Sequence, residues 1–242
     1  MTDNRRPLHI LQLYPKDMNI YGDWGNTLTL KRRAQWHGYN VTVSDYNPGD
    51  TFPERIDLIV GGGGQDSGQT RIQEDLLAIG PHLVKLAEHD MPMLMICGLY
   101  QLFGRFFRTK DGQTIRGIGL LDIETHGSDQ RLIGNIVTHS ETFGDIIGYE
   151  NHSGLTYLGN AVEPLGHLVK GAGNNGQDDT EGARYRKVIG SYLHGSLLPK
   201  NPSIADWLIE QACIRTYGDF HPTVIDDRFA ERARTIASKR PR

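Results

Sequence analysis

The sequence predicts an α/β fold built on a doubly wound, mostly parallel sheet flanked by helices. Three observations carry this reading. Short apolar runs lack polar alternation, which marks strands buried on both faces. Helix-period segments separate them. A four-glycine turn and a cysteine each stand where such a run ends.

Leu8 to Tyr14 is apolar enough for a buried strand, and Pro15 to Asn26 is a loop rich in turn formers. A helix is expected over Thr27 to His37 and a strand over Val41 to Tyr46. The third strand, Ile56 to Val60, runs into Gly61-Gly62-Gly63-Gly64. Ile72, Leu76, Leu77, Ile79, Leu83, Leu86 and Ala87 then fall mainly on one helical face. Pro92 opens the run Met93 to Ile96, which ends at Cys97 and a helix from Gly98 to Gly104. From about Ile115 to Tyr157 the chain is glycine-punctuated and β-like. Gly171 to Gly182, rich in Gly, Asn and Asp, is expected to be a flexible turn or exposed loop. Val188 to Tyr192 is a strand leading to His194, and Asn201-Pro202-Ser203 opens a helix carrying Ile204, Trp207, Leu208 and Ala212. The organisation expected is one domain over 1–220 and a charged, helical C-terminal extension over 221–242.

Bulk properties exclude several function classes. A chain of 242 residues with 38% hydrophobic and 23% charged residues suits a globular α/β domain with a sizeable core. The formal charge of −3 supplies no broad basic surface for nucleic acid. Cys97 and Cys213 are too few and too far apart for a disulfide framework, and no C-x-x-C cluster points to a metal site. The polar stretch Met1 to Pro7 lacks the apolar core of a signal peptide, and no apolar run reaches the roughly 18 residues that span a bilayer. The compartment these features suggest is the cytoplasm.

Cys97 is the most informative residue. A thiol between a buried strand and a helix lies at the carboxyl edge of the sheet, where open α/β folds place ligands. The helix that follows directs N–H groups and a positive dipole end toward the sulfur, favouring thiolate. Gly98 leaves room for a tight elbow. On position alone, a buried structural cysteine remains an equal alternative. If Cys97 is a nucleophile, the oxyanion donors expected are the backbone N–H groups of Gly98 and Gly63. A nucleotide loop is the rival reading of the glycine run, but neither G-x-G-x-x-G nor G-x-x-x-x-G-K-[ST] occurs.

Ile96-Cys97-Gly98-Leu99-Tyr100-Gln101-Leu102 and Tyr192-Leu193-His194-Gly195 resemble the nucleophile and histidine motifs of cobyric-acid-synthase-type class I glutamine amidotransferases. Leu13-Tyr14-Pro15, Asn19-Ile20-Tyr21-Gly22-Asp23, Gly61 to Asp66, and Gly148-Tyr149-Glu150-Asn151-His152 narrow the resemblance. These stretches are similar to the glutaminase subunit of lipid II isoglutaminyl synthase, the GatD type. The resemblance implies a flavodoxin-like class I architecture, Cys97 as nucleophile, and His194 as the base that takes the thiol proton and later protonates ammonia. It also implies that Arg131 binds the α-carboxylate of glutamine and that Gln101 lines the pocket. His152 competes with His194 but lies in what resembles a structural or substrate-side loop. Met95, Leu99 and Trp24 depart from residues common in the family. The bulk of Leu99 is expected to narrow the entrance or alter packing beside the elbow.

One expected acid is missing. Many class I enzymes carry a glutamate two residues after the histidine, where this chain has Ser196. Either another acid of the chain, or one from a partner, supports the imidazole, or a dyad suffices; full activity is expected in a complex. The resemblance implies no cofactor or metal in this chain. It implies a heterodimer with a Mur-ligase-like synthetase subunit (MurT type), which holds ATP and Mg and activates the D-glutamate of lipid II for conversion to D-isoglutamine. The alternatives weighed are a corrinoid-precursor amidotransferase subunit, a non-catalytic partner-binding homologue, and a cysteine hydrolase of another small amide.

Overall fold

The computed structural model describes residues 5–241. Residues 1–4 of the polar N-terminus and Arg242 of the tail lie outside the described residues. The first half runs β1 (Pro7–Leu13), α1 (Trp24–Trp36), β2 (Asn40–Tyr46), β3 (Leu58–Gly61), α2 (Asp66–Glu88), β4 (Met93–Ile96) and α3 (Gly98–Phe103). Short strands β5 (Phe106–Arg108) and β6 (Thr114–Arg116) precede a long hairpin of β7 (Ile123–Ser140) and β8 (Gly144–Leu158). The chain continues through β9 (Gly166–Lys170), β10 (Thr180–Glu181), β11 (Ala183–Tyr185), β12 (Val188–Ser191), β13 (Leu193–His194), α4 (Pro202–Tyr217) and α5 (Arg228–Ser238).

The first sheet has the order β11-β12-β4-β3-β1-β2. It is parallel from β12 to β2, with β11 antiparallel at one edge. Its central strands β3, β4 and β12 are buried at every position, in keeping with sequences that lack polar alternation; Ser191, at the end of β12, is their one polar residue. Helices flank this sheet; α1 packs with α4, and α2 lies against α3 and β6. The turn after β3 and the elbow after β4 are neighbours at the carboxyl edge because those strands pair directly, Gly61 opposite Met95.

The β-like middle region forms a second sheet, which the sequence reading did not separate from the first. Strands β7 and β8, 18 and 15 residues long, pair antiparallel with a register shift between Gly127 and Leu132. The two-residue strand β13 joins β8, with Leu193 opposite Glu150 and His194 opposite Tyr149. This pairing brings His194 back over the edge that carries Cys97.

Gly171 to Gly182 is exposed only at its tip, residues 176–179, and buried on either side of it. Asn174 and Asn175 are 0% and 3% exposed. Asn174 Oδ1 accepts the Gly182 N–H at 3.0 Å and the Tyr100 hydroxyl at 3.1 Å, while Glu150 accepts the Ala172 and Gly173 N–H groups. Side-chain amides satisfy backbone groups that would otherwise need water, so a polar composition is compatible with burial. The tail bears α5 and is tied down. Buried Arg33 bonds both Asp206 and Asp227, and Arg234 donates to the carbonyls of Lys200 and Asp145.

Candidate active site

Cys97 occupies a turn that few non-glycine residues adopt, with φ 49° and ψ −102°. Two backbone hydrogen bonds hold it there: its N–H donates to Ser191 O at 2.8 Å and its carbonyl accepts from Gln101 N at 2.9 Å. Strain of this kind persists where the surroundings over-determine it, and here it turns the thiol out of the sheet edge. Gly98 permits the turn, since a Cβ there would lie 2.7 Å from Met18 Cε and 2.9 Å from Gly64 N. Leu99 does not stand at an entrance. It is fully buried, and its Cδ1 fills the space that a Cβ on Gly61 would need. Helix α3 has only six residues, so few peptide dipoles align behind the sulfur and the expected helix field is small.

His194 is the titratable side chain that neighbours Cys97. Its imidazole is buried, with Nδ1 3.3 Å from Asp23 Oδ2, and the Tyr21 ring meets it edge-on at 5.0 Å. Its Nε2 is buried with no hydrogen-bond partner among the described residues. Cys97 and His194 flank Gly63: a Cβ there would lie 2.7 Å from His194 Cε1 and 3.1 Å from Cys97 Cβ. Burial opposes the imidazolium form, but neighbouring Cys97 and Asp23 outweigh it and raise the His194 pKa to about 10. The site therefore favours a proton on this imidazole when Cys97 is ionised.

The Gly63 N–H, expected to face an oxyanion, donates instead to Asp23 Oδ2 at 2.7 Å. Gly64 lines the cavity beside Cys97 and approaches Gly98 closely. Asp23 is 2% exposed, and as a contact of His194 it was not identified from the sequence. No local pattern signals a contact across 171 positions.

Cys97 opens onto a cavity of about 160 Å³, below the roughly 300–1,000 Å³ of drug-sized sites and suited to a small polar molecule. Arg131 lies on its wall. Arg131 Nε donates to Asn151 Oδ1 at 2.7 Å, and its Nη2 reaches the Tyr21 hydroxyl at 3.4 Å. Gln101 also lines the cavity, but its amide is already committed: Nε2 donates to Tyr192 Oη at 3.0 Å, and Oε1 accepts from Gln69 at 2.7 Å. His152, the competing histidine, is stacked on Tyr192 at 3.6 Å, and its Nδ1 donates to Gly154 O. Burial pulls the His152 pKa down to about 4, leaving it neutral.

A buried cysteine on a strained elbow, a carboxylate-backed histidine and an arginine thus come together at one small cavity. The chain belongs to the family of CobB/CobQ-like glutamine amidotransferase domains, whose model matches residues 9–202. Within it, the chain belongs to the GatD family. It is 40% identical to the lipid II isoglutaminyl synthase (glutamine-hydrolyzing) subunit GatD of Staphylococcus aureus (strain N315), covering 95% of each chain. It is 37% identical to the subunit of that name from Streptococcus pneumoniae (strain ATCC BAA-255 / R6), covering 96% of this chain and 92% of the relative. A glutamine amidotransferase from Thermotoga maritima shares the fold, with a TM-score of 0.55 at 16% identity over 95% of this chain and 93% of that one. Among the described residues, no helix is long and apolar enough to cross a membrane.

Proposed function

We propose that this chain hydrolyses glutamine to glutamate and ammonia, and that the ammonia amidates the D-glutamate of lipid II on a partner subunit. The observation that carries the reading is the Cys97–His194 pair at one end of a small cavity whose wall bears Arg131. Glutamine enters with its α-carboxylate on the Arg131 guanidinium and its carboxamide carbon at Cys97 Sγ. The sulfur attacks that carbon as its proton passes to His194. The N–H groups of Gly98 and Gly64 stabilise the oxyanion, Gly64 taking the part first assigned to Gly63. His194 then protonates the amide nitrogen, the C–N bond breaks, and ammonia leaves a thioester on Cys97. Water attacks the thioester carbon and gives its proton to His194; the C–S bond breaks, glutamate departs, and the proton returns to the sulfur.

Ammonia is useful only beside an activated acceptor. In this reading the acceptor is activated by a Mur-ligase-like synthetase subunit (MurT type) that binds ATP and Mg, in a cytoplasmic heterodimer with this chain. The GatD relatives, matched along nearly their whole length, support that acceptor. Cobyric acid synthases, which match up to 69% of this chain, are themselves matched over no more than 37% of their length. The test is to co-express the chain with the Mur-ligase-like partner and supply glutamine, ATP, Mg and lipid II. Mass spectrometry should show conversion to the D-isoglutamine form. Ammonia release without amidated lipid II would overturn the acceptor; no ammonia release would overturn the hydrolase.

A further inference from the structure

In place of an acid two residues after it, His194 faces a carboxylate from a distant part of the sequence. Asp23 ends the loop before α1, and both its oxygens lie within 3.4 Å of His194 Nδ1. Its position is fixed by bonds that do not involve the histidine. The Gly63 N–H donates to its Oδ2, Ile20 N donates to Gly63 O at 3.0 Å, and Trp24 N donates to Asn19 Oδ1 at 2.8 Å. Ser196, which stands where many class I enzymes carry their glutamate, donates to Gly22 O at 2.8 Å and braces this loop. Among the described residues no other carboxylate is bonded to His194. The nearby buried glutamates point elsewhere, Glu150 to the Ala172 and Gly173 N–H groups and Glu181 to the Tyr192 N–H.

We propose that Asp23 is the residue that positions His194, fixing its proton on Nδ1 and presenting Nε2 to Cys97, so that no carboxylate from a partner is needed. This rests on the hydrolase reading above. An ionised carboxylate only accepts hydrogen bonds, so the imidazole nitrogen facing it must carry the proton. The opposite nitrogen, Nε2, is then the one free to take the thiol proton. With Asn at position 23, the amide can turn its NH2 toward Nδ1, which favours the wrong tautomer; the analogous change in serine proteases costs about 10⁴-fold in kcat.

The experiment uses the full chain and a D23N variant. Expected are a folded D23N protein, a loss of roughly 10²- to 10⁴-fold in glutaminase kcat with KM little changed, and a shifted alkylation profile. For the last, iodoacetamide labelling of Cys97 should need a higher pH in D23N than in the wild-type protein, because the imidazolium that favours the thiolate is weakened. A merely structural Asp23 would alter thermal stability without moving that profile. Wild-type kcat and an unmoved profile in D23N would overturn the proposal. Should D23N fail to fold, ¹⁵N chemical shifts of His194 in the wild-type protein, followed as the ring titrates from imidazolium to neutral imidazole, decide it: the Nδ1–H tautomer is expected in the neutral ring, and the Nε2–H tautomer overturns it. Failure of the hydrolase reading is distinct, since the wild-type chain, with or without its partner, would then release no ammonia from glutamine.

Discussion

Replacing Gly63 by alanine inserts one methyl group between the two groups proposed to react. Gly63 has an ordinary backbone conformation, so alanine brings no torsional penalty of its own; the cost is contact. The new Cβ would lie 2.7 Å from His194 Cε1, 3.0 Å from Ile20 Cγ2 and 3.1 Å from Cys97 Cβ. The first separation falls about 0.7 Å short of the 3.4 Å at which ordinary contact begins. The Ile20 methyl can rotate away, but the imidazole is held by Asp23 and the Cys97 Cβ by its backbone bonds. Relief therefore separates base from nucleophile. Overpacking of this kind costs about 1–3 kcal/mol, or roughly 2–12 °C in Tm for a chain of this size. A displacement near 1 Å in a reacting pair costs up to about 100-fold. G63A should thus keep its fold, lose some stability, and lose roughly 10- to 100-fold in kcat/KM. Calorimetry and a coupled ammonia assay on the same preparation check both. Wild-type turnover in a G63A protein of lowered Tm would refute the placement of His194 beside Cys97.

Three further outcomes are expected. R131A should weaken glutamine use by roughly 10- to 150-fold, the worth of a charge-assisted bidentate contact, while Cys97 still reacts with iodoacetamide; unchanged glutamine kinetics would make Arg131 a bystander. H194A should abolish glutamine-dependent amidation by the complex, yet leave amidation driven by free ammonia intact; loss of both would point to misfolding or failed assembly. The Glu181 carboxyl is raised from 4.5 to about 8, chiefly by burial, with Glu150 adding to it. Between those values the folded chain holds a proton that the unfolded chain has lost, so this group's contribution to stability falls as pH rises through the window. E181Q should flatten the fall of Tm across that range, and parallel Tm–pH curves for the two proteins would contradict a protonated Glu181.

The parallel core was legible because its strands are buried on both faces and end at turn formers. Met93 to Ile96 is a strand without a polar residue, and Cys97 follows it at the turn. The second sheet was not legible. Strands β7 and β8 are long, glycine-punctuated and interrupted by a register shift, so no window shows a clean period of two. Composition marked Gly171 to Gly182 as irregular, which it is, but burial there depends on what Asn174 and Glu150 reach in three dimensions. Of the residues chosen from the sequence, Cys97, Arg131 and Gln101 line one cavity, while His194 and Gly98 neighbour Cys97 without lining it. Gly63 is also at the site, with its N–H turned to Asp23. Motif spacing fixes which turn approaches the sulfur but not which amide faces it. Asp23 was visible as part of a distinctive loop, yet its contact with His194 is purely tertiary.

The central claim is that Cys97 is the nucleophile toward glutamine. The most direct measurement is peptide mapping by mass spectrometry after exposure to the glutamine analogue 6-diazo-5-oxo-norleucine, with and without excess glutamine. Cys213 is an internal control, since it is fully buried and its thiol is pushed up to about 11 by burial. The account predicts one adduct per chain at Cys97, protection by glutamine, an untouched Cys213, and neither adduct nor ammonia release in C97A. An adduct at another residue, or a folded C97A protein that still releases ammonia from glutamine, would contradict it.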